Sequence, residues 1–543
     1  MTGTAIPIGG GTGRASTILA AGTLVSRILG FVRALFLAAA IGQLGAGDAF
    51  AVGNQLPNNI FALIAGGLLS AVLVPQIVRA ASHDDGGQRY INRVVTLGIV
   101  LFALVTLAAT LAAPILVSLY AGTFSPPALA LATAFAYWCL PQIFFYALYS
   151  LLSEVLNARK IFGPFTWAPV LNNVVSIVGL MIFVLTFGDH RANSAVAAWG
   201  PDRIALLGAV VTVGVTAQAL ILFWFWRRSG LRYRADFHWR GVGLGATGRA
   251  AGWLFGLILV TQIAGVFQTR VASIATGTGA SVFALQNAWL IFMLPHSIAA
   301  VSIATAYFTR MSGHASRSDT VGLRGDLSAS LRSIGLVTVF AMVALCAVAY
   351  PLARVFTTNF ATVQAMSNLI FAFMPGLVLF SALFLVQRVF FALNEARTTF
   401  FIQCAQSALF IGGALLCALL PREQIGAGIA AVTTLASCAG AALALVVVRR
   451  RLGGIGARLI LRRHLGYLGF ATMAGLIGWL VAGVLGSFSA SGFAQSGRIE
   501  AIVTVTACAS VMAVVYFGLL IVTRNPQLED VLGAVRSRLR RAR

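Results

Sequence analysis

The sequence predicts an all-α polytopic membrane protein: fourteen transmembrane helices, forming two pseudo-symmetric six-helix lobes and two additional C-terminal helices. Three observations carry this prediction. Of the 543 residues, 59% are hydrophobic and only 10% are charged, against about 25% charged in an ordinary soluble domain. The apolar residues fall in repeated blocks of roughly 20 to 30, each enough to cross about 30 Å of hydrocarbon as a helix. Two short motifs also recur at almost one offset. A soluble protein with buried helices does not fit these blocks, and neither does a membrane barrel, whose strands alternate polar and apolar residues over about ten positions.

Polar or charged joints bound the spans at 15–41, 49–78, 94–120, 127–153, 164–187, 204–226, 250–273, 281–308, 333–357, 364–387, 399–420, 425–448, 464–487 and 499–523. In chain order, Arg79 to Arg93 separate spans two and three, Arg159 and Lys160 follow span four, and Arg191 and Arg203 lie between spans five and six. The basic stretch 227–249 follows span six, Arg310 to Arg332 follow span eight, and Arg388 and Arg397 follow span ten. Arg422 precedes span twelve, the run from Arg449 to Arg463 follows it, and Arg498 precedes span fourteen.

Orientation follows from the basic residues, which concentrate on the cytoplasmic side. With both termini placed inside, thirty of the 38 Lys and Arg residues are cytoplasmic and five (Arg191, Arg203, Arg354, Arg422 and Arg498) are external. Losing one helix would invert every later joint. The expected organisation is a cytoplasmic tail at 1–14, an N-lobe at 15–226, a basic linker at 227–249 and a C-lobe at 250–448. A second basic linker at 449–463, a helix pair at 464–523 and a basic cytoplasmic tail at 524–543 complete it. The net charge of +24 then lies beside anionic headgroups and calls for no nucleic acid.

The repeat supports the two lobes. Glu154-Val155-Leu156-Asn157-Ala158-Arg159-Lys160 leaves span four, and Leu393-Asn394-Glu395-Ala396-Arg397 echoes it with 237 residues between the asparagines. Leu56-Pro57-Asn58-Asn59-Ile60 in span two is echoed by Leu294-Pro295-His296-Ser297-Ile298 in span eight, 238 residues on. The offset equals six helices, an even number, so the copies share one orientation about an axis normal to the membrane, as in transporters. Pro57 and Pro295 are expected to kink their helices at matching places and are candidate gating positions.

The remaining three basic residues, Arg27, Arg33 and Arg270, lie within spans. Arg27 and Arg33 are about 9 Å apart along a helix and about 120° apart around it. No carboxylate inside the spans is placed to pair with them. Buried, unpaired arginine is costly, so they should face water or an anion. Arg270, near the end of span seven, is a weaker candidate. Asn54 with Asn58 and Gln55 with Asn59 form one-turn pairs beside Pro57. These amides can hold sugar or phosphate oxygens, or join helices. Arginine's planar fork and permanent charge suit phosphate, so a lipid-linked phosphate or pyrophosphate fits a central polar cavity better than a cation does.

Other features read as structure. The N-terminal IGGGTG lacks a following Lys-Ser/Thr and is no phosphate loop. The first span is too long for a signal peptide. Six cysteines, Cys139, Cys346, Cys404, Cys417, Cys438 and Cys508, are scattered through apolar spans, which suggests neither a disulfide framework nor a metal site. His296 follows Pro295 inside a helix, where it either couples protons or makes a local hydrogen bond. No ATPase motif, nucleophile–base pair or cofactor site is visible, and the chain is expected to be a transporter rather than an enzyme.

The run TLVSRILGFVR, followed by GAGDAFAVGNQLPNNIF and LVPQIVR, resembles the amino-terminal signature of the MurJ/MviN family, the lipid II flippases of the wider multidrug/oligosaccharidyl-lipid/polysaccharide exporter superfamily. LNARKIFGPFTWAPVLNN resembles that family's segment between helices four and five, and NAWLIFMLPHSIAAVSIATAYFTRMS is similar to the eighth helix of actinobacterial members. The likeness covers residues 15–525. It implies a fourteen-helix bacterial plasma-membrane protein that moves lipid-linked peptidoglycan precursor outward by alternating access, with a groove for the undecaprenyl tail at the terminal helix pair. Its implied partners are a polyprenyl-pyrophosphate-linked substrate, bilayer lipids and proteins of cell-wall synthesis or division. Arg27 and Arg33 match family cavity arginines, and Asp48 matches a family aspartate at the outer end of helix two.

The chain also departs from the family pattern. Ile60, Phe61 and Ala62 stand where many members have paired arginines, and Trp289 and Leu290 stand near another family arginine. Spans seven, eleven and twelve hold none of the carboxylates with which some members bind sodium, so no coupling ion is named. Substrate contact then rests more on Arg27, Arg33 and the amides, or the substrate is another polyprenyl-linked glycan or amphiphile, or the protein is a non-transporting scaffold for cell-wall synthesis.

Overall fold

In hydrocarbon a chain must satisfy its own backbone hydrogen bonds, and a helix does so within one segment. The computed structural model describes residues 11–65, 88–159, 161–228, 230, 233–238 and 248–529; among them there are helices and no strand. Thirteen of these helical segments are long and apolar enough to cross a membrane. Each overlaps one predicted span. The predicted span at 49–78 is the one without a counterpart: its described part is the helix Gly45–Ile64, and residues 66–87 lie outside the described residues. Side chains such as Leu185, Leu419 and Val484 are 85%, 83% and 87% exposed, an arrangement that suits a lipid surround and not water.

The chain divides into two compact units, Met1–Ser273 and Ile274–Arg543. The first contains α1 (Gly11–Ile41), α2 (Gly45–Ile64), α3 (Gln88–Leu111), α4 (Ala113–Ala121), α5 (Pro126–Cys139), α6 (Gln142–Ala158), α7 (Gly163–Phe187), α8 (Pro201–Arg228) and α9 (Gly248–Ala272). Prolines subdivide two spans. Pro114 opens α4 after a break at Ala112, and Leu140-Pro141 separates α5 from α6.

Lipid tails are as apolar as leucine, so helices here associate through close approach and interhelical hydrogen bonds. On α1, a Cβ at Gly22 would lie 2.6 Å from the Thr166 methyl of α7. Ser26 lies on the same face one turn later, and its carbonyl accepts a hydrogen bond from Asn173 Nδ2 at 2.9 Å. On the far side of α7, Asn172 donates to Gln218 of α8 at 2.9 Å, and Gly214 is close enough that an added Cβ would lie 2.5 Å from Asn172 Oδ1. Neighbouring asparagines point about 100° apart on a helix, so α7 is bonded on two sides. Asn193 closes the end of this group by donating to the carbonyls of Ala40, Gly188 and Asp189. Phe102, Leu151, Leu222 and Trp226 fill a core among α3, α6 and α8. The helix α9 touches α2 and α4 and belongs to this first unit.

The second unit contains α10 (Val282–Pro295), α11 (Val301–Ser316), α12 (Thr320–Ala347), α13 (Ala349–Phe356), α14 (Phe360–Phe373), α15 (Leu377–Ala392), α16 (Ala396–Cys417), α17 (Arg422–Arg451), α18 (Ala457–Val484) and α19 (Arg498–Val522). A π-turn at His296–Ala300 joins α10 to α11, and a 3-10 turn at Met374–Gly376 containing Pro375 joins α14 to α15. Its core holds Met311, Leu327, Val386, Phe390 and Val448. The terminal helices α18 and α19 contact each other, α18 packs on α12 and α19 on α13. Tyr516 of α19 donates its hydroxyl proton to the Leu336 carbonyl at 2.8 Å.

The two proline echoes differ locally. Pro57 is buried inside a continuous α2, whereas Pro295 closes α10 and is followed by the π-turn. A widened turn accommodates the amide that proline cannot supply.

Candidate functional site

Helix α1 presents two arginines differently. Its Gly22–Ser26 side lies against α7, and Arg27, about 100° round from Ser26, is exposed. Arg27 has no hydrogen bond or ion pair among the described residues. Arg33 is seven residues past Ser26, nearly back on the packed side, and is half-buried. The Tyr146 phenol of α6 lies within its electrostatic reach. The Tyr146 ring in turn meets Phe61 of α2, with centroids 5.8 Å apart. Sequence reasoning missed Tyr146, because an aromatic in an apolar block carries no signal until its neighbour is known.

The amide stripe of α2 divides into two rows. Gln55 Nε2 donates to Thr269 Oγ1 of α9 at 3.2 Å, and Asn59 Nδ2 donates to the Tyr120 hydroxyl of α4 at 3.3 Å. This row joins helices. Asn54 is half-buried and Asn58 exposed, and neither has a side-chain hydrogen bond among the described residues. Asp48, in the first turn of α2, is fully buried, where a helix N-terminus favours negative charge.

Arg270 ends α9 and donates from Nη1 to the Leu119 carbonyl at 3.2 Å, in the last turn of α4, where cations are favoured. His296 is buried in the second unit with its Nδ1 3.0 Å from Ser381 Oγ. The rings of Phe380 and Phe384 stand edge-on to it at 4.8 and 5.3 Å. Its surroundings are those of a packed, hydrogen-bonded histidine.

The positions that depart from the family pattern carry packing. Phe61 joins the core of α3, α6 and α8, and Trp289 stacks on Phe292 with centroids 4.8 Å apart. Farther along the second unit, an apolar cavity of about 390 Å³ opens where α18 meets α12. Val343, Phe371, Leu476, Trp479 and Phe488 line it, with the Phe488 ring 5.3 Å from Trp479.

Two charged clusters lie outside the spans. Arg93 Nε donates to Asp236 Oδ2 at 3.0 Å, and the Asp236 amide donates to Thr96. Hydrogen bonds from the backbone and ring of His238, with Arg93 assisting, pull the Asp236 carboxyl down to about 2. At the turn between α11 and α12, Asp319 accepts from the Gly322 amide and faces His314 at 2.7 Å, which holds its carboxyl below the usual range. Asp326 there pairs with Arg310 at 2.6 Å.

A helical bundle with thirteen membrane-crossing segments among its described residues and an arginine and amides displayed on its first two helices is a multi-pass membrane protein of the transporter kind. Its fold is that of a solved structure described as lipid II flippase MurJ in the inward closed conformation, with a TM-score of 0.68 at 19% identity over 93% of this chain and 100% of that one. A MATE structure in the straight conformation gives 0.58 at 18% identity, over 82% and 97%. The family model described as Lipid II flippase MurJ matches residues 37–495, and the chain belongs to that family. The probable lipid II flippase MurJ of Borreliella burgdorferi is 25% identical over 409 residues, 73% of this chain and 76% of the relative. That of Haemophilus influenzae is 26% identical over 437 residues, 75% and 81%. The matched stretch begins just past Arg33.

Proposed function

We propose that this protein flips lipid-linked peptidoglycan precursor, lipid II, across the membrane without chemical change. The observation that carries the reading is the family match over residues 37–495. The exposed Arg27, free of any partner among the described residues, supplies chemistry suited to the pyrophosphate. Arg27 meets the headgroup first and Arg33 next, with Asn54 and Asn58 hydrogen bonding to its oxygens; Gln55, Asn59 and Asp48 hold α2 in place. The apolar cavity beside α18 suits the polyprenyl tail.

The finer organisation belongs to the same proposal. The span at 49–78 completes fourteen helices, both termini are cytoplasmic as the arginine distribution requires, and the sequence repeat forms two lobes working by alternating access. Pro57 and the Pro295 π-turn are gating positions, with Arg270 and His296 accessory to them. The eighth-span sequence marks an actinobacterial-like member. An inside-negative potential favours outward movement of an anion by about 2.3 kcal/mol per charge per 100 mV.

A second reading, transport of another polyprenyl-linked glycan, is favoured by the aromatics at Phe61 and Trp289. The test is reconstitution in liposomes with lipid II and with other polyprenyl-pyrophosphate glycans, at zero and at inside-negative potential. Faster flipping of lipid II under potential is expected. Preference for another glycan supports the second reading, equal rates at both potentials remove the coupling, and no flipping of any glycan leaves a scaffold.

A further inference from the structure

Thr96 of α3 is 2% exposed, and its single hydroxyl takes part in three hydrogen bonds. The proton goes to the Asn92 carbonyl one turn back, at 2.7 Å. The oxygen then accepts from the Asp236 amide and from the Tyr233 hydroxyl, each at 3.0 Å, which fills the capacity of a hydroxyl. Both donors belong to residues 233–238, a stretch without helix or strand that follows α8. Gly230, at φ 76° with its amide on the Arg227 carbonyl, turns the chain after α8 in a conformation that suits glycine. Beyond it, the Tyr233 ring packs on the core of α3, α6 and α8. Arg93 Nε adds its 3.0 Å ion pair to Asp236, and Asp236 accepts from the His238 amide at 3.0 Å, a local bond that preforms the turn. The segment ties the end of α8 to the start of α3.

The tie is built to open. Tyr233 alone of the six residues brings a ring to the core; Phe237 is 63% exposed, and Arg234, Ala235 and His238 are exposed. Segments held by few apolar contacts open at small free-energy cost. The seat is also complete when empty. Thr96 without the segment keeps its bond to the Asn92 carbonyl, the back-bond that Thr110 makes to the Thr106 carbonyl at 2.8 Å farther along α3. The Arg93 and Asp236 side chains are 36% and 21% exposed, so water can replace each for the other. Docked and free, the same groups are satisfied.

We propose that residues 233–238 are a restraining strap, docked on Arg93 and Thr96 in this structure and released when the first unit changes conformation during transport. The restraint rests on the flippase reading above; the docking does not.

Amide exchange at pH 7, corrected for intrinsic rate, reads the docking in the full chain in nanodiscs, and flipping in proteoliposomes reads the restraint. Thr96→Val removes the acceptor of two bonds and should speed exchange over 233–238 on the order of ten- to a hundredfold. Flipping should quicken by at most the same factor. Tyr233→Phe keeps the ring, removes one bond and should speed exchange by about fivefold, which keeps the test open if Thr96→Val does not fold. Thr110→Val should change neither readout. Arg93→Cys with Asp236→Cys, bridged by a four-carbon bismethanethiosulfonate, should lose flipping and regain it with dithiothreitol, while either single variant treated alike keeps it. Unchanged exchange in a folded Thr96→Val or Tyr233→Phe protein overturns the docking. Slower flipping in Thr96→Val despite faster exchange, or full flipping by the bridged protein, overturns the restraint. Absence of flipping in every variant and in wild type defeats the flippase reading, and with it the restraint, while exchange still decides the docking.

Discussion

Replacing Arg27 separates a transport role from a structural one. The side chain is exposed and without a partner among the described residues, while the packing of α1 rests on Gly22 and on the Asn173 bond to Ser26. Arg27→Gln should therefore change stability by no more than about 0.5 kcal/mol, the usual range for such positions. A guanidinium on a phosphate makes charge-assisted hydrogen bonds worth about 1.5–3 kcal/mol. Their loss corresponds to a roughly ten- to 150-fold fall in flipping efficiency, at about 1.4 kcal/mol per tenfold. Arg27→Lys keeps the charge but not the fork and should fall between. The assay is single-turnover flipping in proteoliposomes beside a thermal melt in the same lipid. Full flipping by a well-folded Gln variant would refute the role of Arg27. A large drop in melting temperature would refute the claim that α1 is held from its other face.

Three further outcomes are expected. Gly214→Ala forces a Cβ to within 2.5 Å of Asn172 Oδ1; overpacking of this kind costs about 1–3 kcal/mol, and adding Asn172→Ala should recover part of the lost melting temperature. The Asp236 carboxyl is held down near 2 from its ordinary 3.8, so its support for the 233–238 segment is complete above about pH 4 and is lost as pH falls toward 2. Amide exchange corrected for intrinsic rate should show protection of this segment falling in that window, and Asp236→Asn should remove the pH dependence. Ser381→Ala deprives His296 of its 3.0 Å partner and should cost about 1 kcal/mol in thermal unfolding, with the flipping rate unchanged between pH 6 and 8. A rate that follows pH in wild type and loses that dependence in His296→Gln would instead assign the imidazole to proton coupling.

Much of the architecture could be read from composition, because bilayer thickness fixes how long each apolar block must be, and thirteen blocks became membrane-crossing helices in the expected places. The breaks inside blocks were less legible. Pro57 and Pro295 look alike in sequence, yet the first sits in a continuous helix and the second precedes a π-turn; Pro141 and Pro375, which no echo marked, also interrupt their spans. Candidate side chains were legible as a group and not by partner. The four amides of α2 share one stripe, and only the positions of Thr269 and Tyr120 divide them into a bonded row and an open row. Tyr146 matters through neighbours far away in the chain, Arg33 and Phe61, which spacing alone does not disclose.

The π-turn after Pro295 also bears on sequence length. Such a bulge is one residue inserted into an otherwise regular α-helix, with the flanking faces still meeting their neighbours. The eighth crossing therefore holds a spare residue within His296–Ala300. A single deletion there would leave Trp289 and Met311 facing their present neighbours, while the same deletion in α7 would turn Asn172 away from α8.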